Sequence, residues 1–127
     1  MARIFKIKAF ARFQRDEQIS DTTLAKAIGN ADRGLIDADL GGGLIKQRVA
    51  RAGEGRSGGF RTVIAFRRGD RAVFLYGFAK KERRNIGMDE LEVFKQLARE
   101  YLEMSVEDIG TMLDSKKWIE VKNEKPH

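Results

Sequence analysis

Lys46 and Arg48 stand two residues apart in a stretch that reads as a β-strand, so their side chains share one face. Arg61 lies in the next apolar run, and Lys80, Lys81, Arg83 and Arg84 close the run after that. Such a set suits phosphoryl chemistry on RNA, because RNA carries its own nucleophile, the 2′-hydroxyl. In-line attack on the neighbouring phosphate puts extra negative charge on the phosphoryl oxygens, and preorganised arginine and lysine stabilise it. A lysine clustered with other cations has a depressed pKa and can act as general base or acid. Tyr76 or Phe78 can stack on a splayed base. The plainer reading of the same residues is a basic strand face that binds RNA or an acidic partner without cutting anything.

What the chain lacks narrows the chemistry. Its only histidine is His127 and it has no cysteine, which argues against a two-histidine ribonuclease, a Ser-His-Asp triad, disulfides and thiolate metal sites. Asp37 and Asp39 read as a turn or helix-end feature rather than a metal pair. Gly41-Gly42-Gly43 reads as a flexible lead-in to a strand, since no lysine and helix start follow it at phosphate-loop spacing. Neither a metal nor a cofactor is therefore expected. The formal charge of +6 is unevenly placed: residues 1–40 sum to +1, residues 41–84 to +9 and residues 85–127 to −4. A basic middle third of that size can steer and hold a polyanion. The N-terminal stretch is broken by charge every two or three residues and no later run approaches membrane-spanning length, so a cytoplasmic protein without membrane contact is expected.

Elements follow from periodicity. Ile4–Ile7 reads as a short strand, and the spacing of Phe10 and Phe13 starts a helix through about Gln14. Ser20 and Asp21 suit an N-cap for a second helix with a Leu24, Ala27, Ile28, Ala31 stripe, ending near Gly34. Leu44–Arg51 reads as a strand, followed by the glycine-rich segment Gly53–Gly59. Phe60–Arg68 and Arg71–Ala79 alternate around Gly69-Asp70, a hairpin signal. Pairing Arg68 with Arg71 puts Phe60, Thr62, Ile64 and Phe66 on a core face with Val73, Leu75 and Ala79. The other face then carries Arg61, Val63, Ala65 and Arg67 beside Phe74, Tyr76, Phe78 and Lys80, making Arg61, Tyr76 and Lys80 neighbours. Met88–Met104 is an amphipathic helix, Ser105 opens a short one through about Leu113, and Trp118, Ile119 and Val121 form a last strand or pack down. Lys122–His127 reads as a frayed tail. The expected architecture is α+β: an antiparallel β-sheet with an N-terminal helical hairpin and C-terminal helices packed on one face.

Two motifs together look familiar. Gly58-Gly59-Phe60-Arg61 leading into a strand, followed by Val73-Phe74-Leu75-Tyr76-Gly77-Phe78-Ala79-Lys80-Lys81-Glu82, resembles the RelE/ParE superfamily of toxins, closest to its RelE/HigB-like branch. The order of elements over residues 3–104 fits a RelE-like fold, and residues 105–127 form an extension of one domain spanning 1–127. The resemblance implies ribosome-dependent cleavage of messenger RNA and neutralisation by a cognate antitoxin, commonly a helix-turn-helix protein in this branch. It also implies a catalytic set at Lys46, Arg48, Arg61 and Lys80 or Lys81. Arg51, Arg56, Tyr76, Phe78, Arg83 and Arg84 are then expected to bind RNA. Some relatives use a tyrosine just past the last strand; here Ile86-Gly87-Met88 stands there and Tyr76 is the nearest substitute. Two other functions fit the same fold: a ParE-like inhibitor of DNA gyrase that cleaves nothing, and an inactive RNA- or partner-binding domain.

Overall fold

The computed structural model describes residues 2–50, 59–83 and 85–122. In chain order the elements are β1 (Arg3–Ile7), α1 (Lys8–Asp16), α2 (Asp21–Asp32), β2 (Ala38–Gly41), β3 (Leu44–Val49), β4 (Phe60–Arg67), β5 (Arg71–Ala79), α3 (Met88–Leu102), α4 (Val106–Asp114) and β6 (Trp118–Val121). The fold is α+β. The six strands form one sheet in the order β2-β3-β4-β5-β1-β6.

Two features depart from the architecture read from sequence. The sheet is mixed, because β1 lies parallel to β5 while its other neighbour, β6, is antiparallel. Helices also cover both faces rather than one. On one face α1 and α2 pack Phe10, Leu24 and Ile28 against Ile45, Phe60, Ile64 and Phe74. On the other, α3 and α4 pack Ala98, Leu102 and Ile109 against Leu44, Val63, Val73 and Trp118. Ile4 and Phe5 explain the central place of β1: adjacent in sequence, they point to opposite faces and are buried in opposite cores. Trp118 settles the alternative left open for its segment, pairing as a strand opposite Ile7 and packing on Phe5.

Local chemistry accounts for the helix ends. Ser20 Oγ accepts the Thr23 amide hydrogen bond at 3.1 Å, the N-cap anticipated for α2. Past its other end, Gly34 (φ +85°) lets the Leu35 N–H return to the Asn30 carbonyl. A buried network ties this helical hairpin to β1: Lys6 Nζ donates to Gln14 Oε1 (2.6 Å) and Asp21 Oδ1 (3.0 Å). Gly41-Gly42-Gly43 is not a slack lead-in but the end of β2 and its turn into β3, with positive φ at all three. Asp39 sits in β2, where its Oδ1 accepts the Gly41 N–H.

The β4–β5 hairpin sets the site. Its connection is three residues, Arg68-Gly69-Asp70, so Arg67 rather than Arg68 faces Arg71. That slip moves Phe74 onto the α1/α2 face and Val73 and Leu75 onto the α3/α4 face, the reverse of the tight-turn expectation. A bulge then shifts the register between Val63 and Ile64. Beyond it Val63 faces Tyr76 and Arg61 faces Phe78, which is the alignment expected from sequence. Among the described residues no helix is long and apolar enough to cross a membrane.

Candidate RNA-binding site

Strand register assembles the basic residues into two adjacent rows on the α3/α4 face. Arg48 of β3, Arg61 of β4 and Phe78 of β5 are direct cross-strand neighbours, and Lys46, Val63 and Tyr76 form the next row. Further along the same face the rows turn apolar, with Leu44, Ala65 and Val73 covered by Ala98 and Leu102. The face thus has an apolar end roofed by α3 and a basic end.

Two cations placed directly opposite one another repel and weaken a sheet. Arg48 and Arg61 are such a pair, and neither is strongly neutralised. Arg48 is exposed, and its Nε lies 4.0 Å from Asp37 Oδ2, the limit of an ion pair. Arg61 is 8% exposed, and its buried Nη1 has no hydrogen-bond partner among the described residues. A buried guanidinium nitrogen without an acceptor is costly, and a phosphate would satisfy it with charge-assisted hydrogen bonds. On the α1/α2 side of the sheet, away from these rows, a cleft of 520 Å³ opens between α2 and β3, lined by Lys26, Asn30, Leu35 and Ala50 among others.

The aromatic pair behaves differently from a free stacking platform. Phe78 is buried. Tyr76, half-buried, stacks on Phe94 of α3 with centroids 5.6 Å apart and lies 5.9 Å from Phe78. Arg83 sits over both rings, its Cζ 5.8 Å from the Tyr76 centroid and 5.7 Å from that of Phe78. Lys80 and Lys81 are exposed in the turn that follows β5. Arg51, Arg56 and Arg84, along with most of the glycine-rich segment and the tail beyond Lys122, lie outside the described residues.

A family model for the RelE toxin of the RelE/RelB toxin–antitoxin system matches residues 2–121. The chain belongs to the RelE toxin family. No curated protein matches it. As a RelE-family member it is the toxin half of a toxin–antitoxin pair, which implies an antitoxin as partner, and toxins of this family are generally endoribonucleases. The family match runs past Met104 to include α4 and β6, the latter pairing with β1.

Lys46 and Arg48 share one face, as their spacing of two required, and the β3–β4 register brings Arg61 onto it; the sequence offered less for their supports. Glu90 and Phe94, which hold Arg83 and Tyr76, were not among the expected site residues. Glu90 had a local signal: it is the third residue of α3, and its Oε1 accepts the Gly87 N–H at 2.8 Å. Phe94 was visible only as part of an apolar helix stripe, with nothing to say which strand residue it would meet.

Proposed function

We propose that this RelE-family toxin is a ribosome-dependent endoribonuclease of the HigB-like branch that cleaves messenger RNA in the cytoplasm and so halts translation. Arg61 carries the reading: a buried arginine with a nitrogen unpaired among the described residues, directly opposite a second arginine, suits a phosphate. In the proposed reaction the 2′-oxygen attacks the adjacent phosphorus, the bond to the 5′-oxygen breaks, and a cyclic phosphate is left on the upstream fragment. Lys46 or Arg48 assists removal of the 2′-hydroxyl proton. Arg61 clamps the phosphoryl oxygens as their charge grows, and Lys80 or Lys81 supplies a proton to the departing 5′-oxygen. The scheme uses no metal ion. Exposed Arg48, Lys80 and Lys81, with Arg51, Arg56 and Arg84, hold the RNA strand by its phosphates. The antitoxin is a helix-turn-helix protein.

Primer extension on messages from bacterial cells induced for wild type and Arg61→Ala tests this. Discrete cuts within translated regions, absent in the variant, are the expected result. Growth arrest without cuts would overturn the nuclease assignment in favour of gyrase inhibition, and no arrest at all would favour an inactive binding domain.

A further inference from the structure

Arg83 was expected among the RNA contacts, yet the structure leaves its guanidinium little to offer a phosphate. Its Nε donates to the Asn85 carbonyl (2.9 Å). Its Nη1 donates to the Tyr76 hydroxyl oxygen (3.0 Å) and to Glu90 Oε2 (3.1 Å), and its Nη2 to Glu90 Oε1 (2.6 Å). All three nitrogens are engaged, two of them in a bidentate pair with a carboxylate. The pair sits at the first turn of α3, where Glu90 also accepts the Gly87 N–H. One group therefore joins the segment after β5, the start of α3 and the aromatic edge of the basic face.

The consequence for Tyr76 is directional. A phenol oxygen that accepts a hydrogen bond from Arg83 keeps its own hydrogen for some other acceptor. The Tyr76 ring contacts both Phe94 and the Arg83 guanidinium, so it cannot swing away without breaking both contacts. Tyr76 faces Val63, two residues along β4 from Arg61, which places it diagonally from the phosphate clamp.

We propose that Arg83 is a positioning residue: with Glu90 it fixes Tyr76 so that the tyrosine hydroxyl donates a hydrogen bond to the RNA bound at Arg61. The proposal rests on the ribonuclease reading. Arg83 itself makes no phosphate contact in the productive complex, and its effect on cleavage passes through Tyr76.

The test is single-turnover cleavage of a defined message on purified bacterial ribosomes by wild type, Arg83→Gln, Tyr76→Phe and the double variant. Hydrogen exchange at the Leu91 amide, which bonds the Gly87 carbonyl at 2.9 Å, is measured in parallel. If Arg83 acts through Tyr76, each single change lowers the cleavage rate at saturating ribosomes roughly 10- to 100-fold with KM little altered, and the double variant is no worse than Tyr76→Phe. Exchange at Leu91 rises in Arg83→Gln and stays at the wild-type rate in Tyr76→Phe. Losses that multiply, with a raised KM carrying the Arg83→Gln defect, would overturn the proposal and make Arg83 an RNA contact. If wild type cuts nothing, the nuclease reading fails on its own, and the exchange measurement decides the anchoring: an unchanged Leu91 amide overturns it.

Discussion

Arg61 and Arg71 occupy opposite ends of the same β4–β5 hairpin and show what separates a structural arginine from a functional one. Both side chains are largely withdrawn from water. Arg71 is engaged through two of its nitrogens: Nη1 donates to the Tyr101 and Met104 carbonyls at 3.2 and 2.7 Å, and Nε to Asp70 Oδ2 at 2.8 Å. It caps the carboxyl end of α3, where unpaired carbonyls and the helix dipole favour a cation. Arg61 has no such arrangement among the described residues; its Nη1 is buried without a partner there, and its cross-strand neighbour is another cation. The protein therefore bears an unfavourable local arrangement at one end of the hairpin that it avoids at the other. Burial alone does not distinguish the two; Arg61 differs in pairing an unmet hydrogen-bonding demand with a second cation directly opposite.

The sharpest way to break this contrast is to remove each arginine in turn. Arg61→Gln should lower message cleavage by roughly a hundredfold or more, the scale of losing one preorganised donor to a developing oxyanion. Its thermal midpoint should hold or rise, because a buried unmet charge leaves with the side chain. A fall of several degrees together with lost activity would show that Arg61 supports the fold instead. Arg71→Met should do the opposite, costing about 2–4 kcal/mol of stability in urea titrations while the folded fraction retains its cleavage rate.

A milder probe uses an anion in place of RNA. Inorganic phosphate or sulfate at tens of millimolar should raise the thermal midpoint of wild type by a few degrees, since a ligand bound only by the native state stabilises it by mass action. The same shift should vanish in Arg61→Gln and survive in Arg71→Met. Equal shifts in all three would place the anion elsewhere.

The smallest expected effect comes from the Lys6–Gln14–Asp21 network, a buried lysine whose demands are met. Burial pushes the Asp21 carboxyl upward, but hydrogen bonds from Gln14 (2.7 Å) and Lys6 (3.0 Å) outweigh it and hold the group below its ordinary value. A depressed folded-state value means the stabilisation is present above the unfolded carboxylate pKa of about 3.9 and is lost as pH falls through the lower folded value. Asp21→Asn should therefore lose stability at pH 6 and little below about pH 3. Because the carboxylate is 43% exposed, the difference should stay within about 1 kcal/mol in urea midpoints. Equal destabilisation at both pH values would show that the charge is not what matters there.

Which parts of this were legible in the sequence follows from the range of the interactions involved. The helix caps at Ser20 and Ser105 depend on three or four consecutive residues and could be read directly. So could the shared face of Lys46 and Arg48, a matter of period two. The hairpin register near the turn was misread because one more residue than expected sits in the connection, and alternation alone cannot count it. Arg61 nevertheless came out opposite Phe78, since the bulge returned the missing residue. The parallel β1–β5 pairing and the second helical layer were out of reach, because both depend on contacts between elements distant in sequence, such as Arg3 with Arg71 across 68 residues. Arg83 looked from sequence like one more cation in a basic run; only its surroundings, Glu90 and Tyr76, distinguish it from Lys80 and Lys81.

Gly77 deserves its place between Tyr76 and Phe78 for a reason that lies on the far side of the sheet. An added Cβ there would collide with the Phe13 ring of α1. The only side-chain-free position in β5 thus lets an aromatic ring rest directly on the backbone that carries the two rings of the opposite face. The sheet is one peptide layer thick at that point, so a displacement of α1 is felt by the strand without any intervening side chain to absorb it. Replacement by alanine would jack the helical hairpin outward on one side and tilt the Tyr76–Phe78 segment on the other, coupling two surfaces that share no side-chain contact.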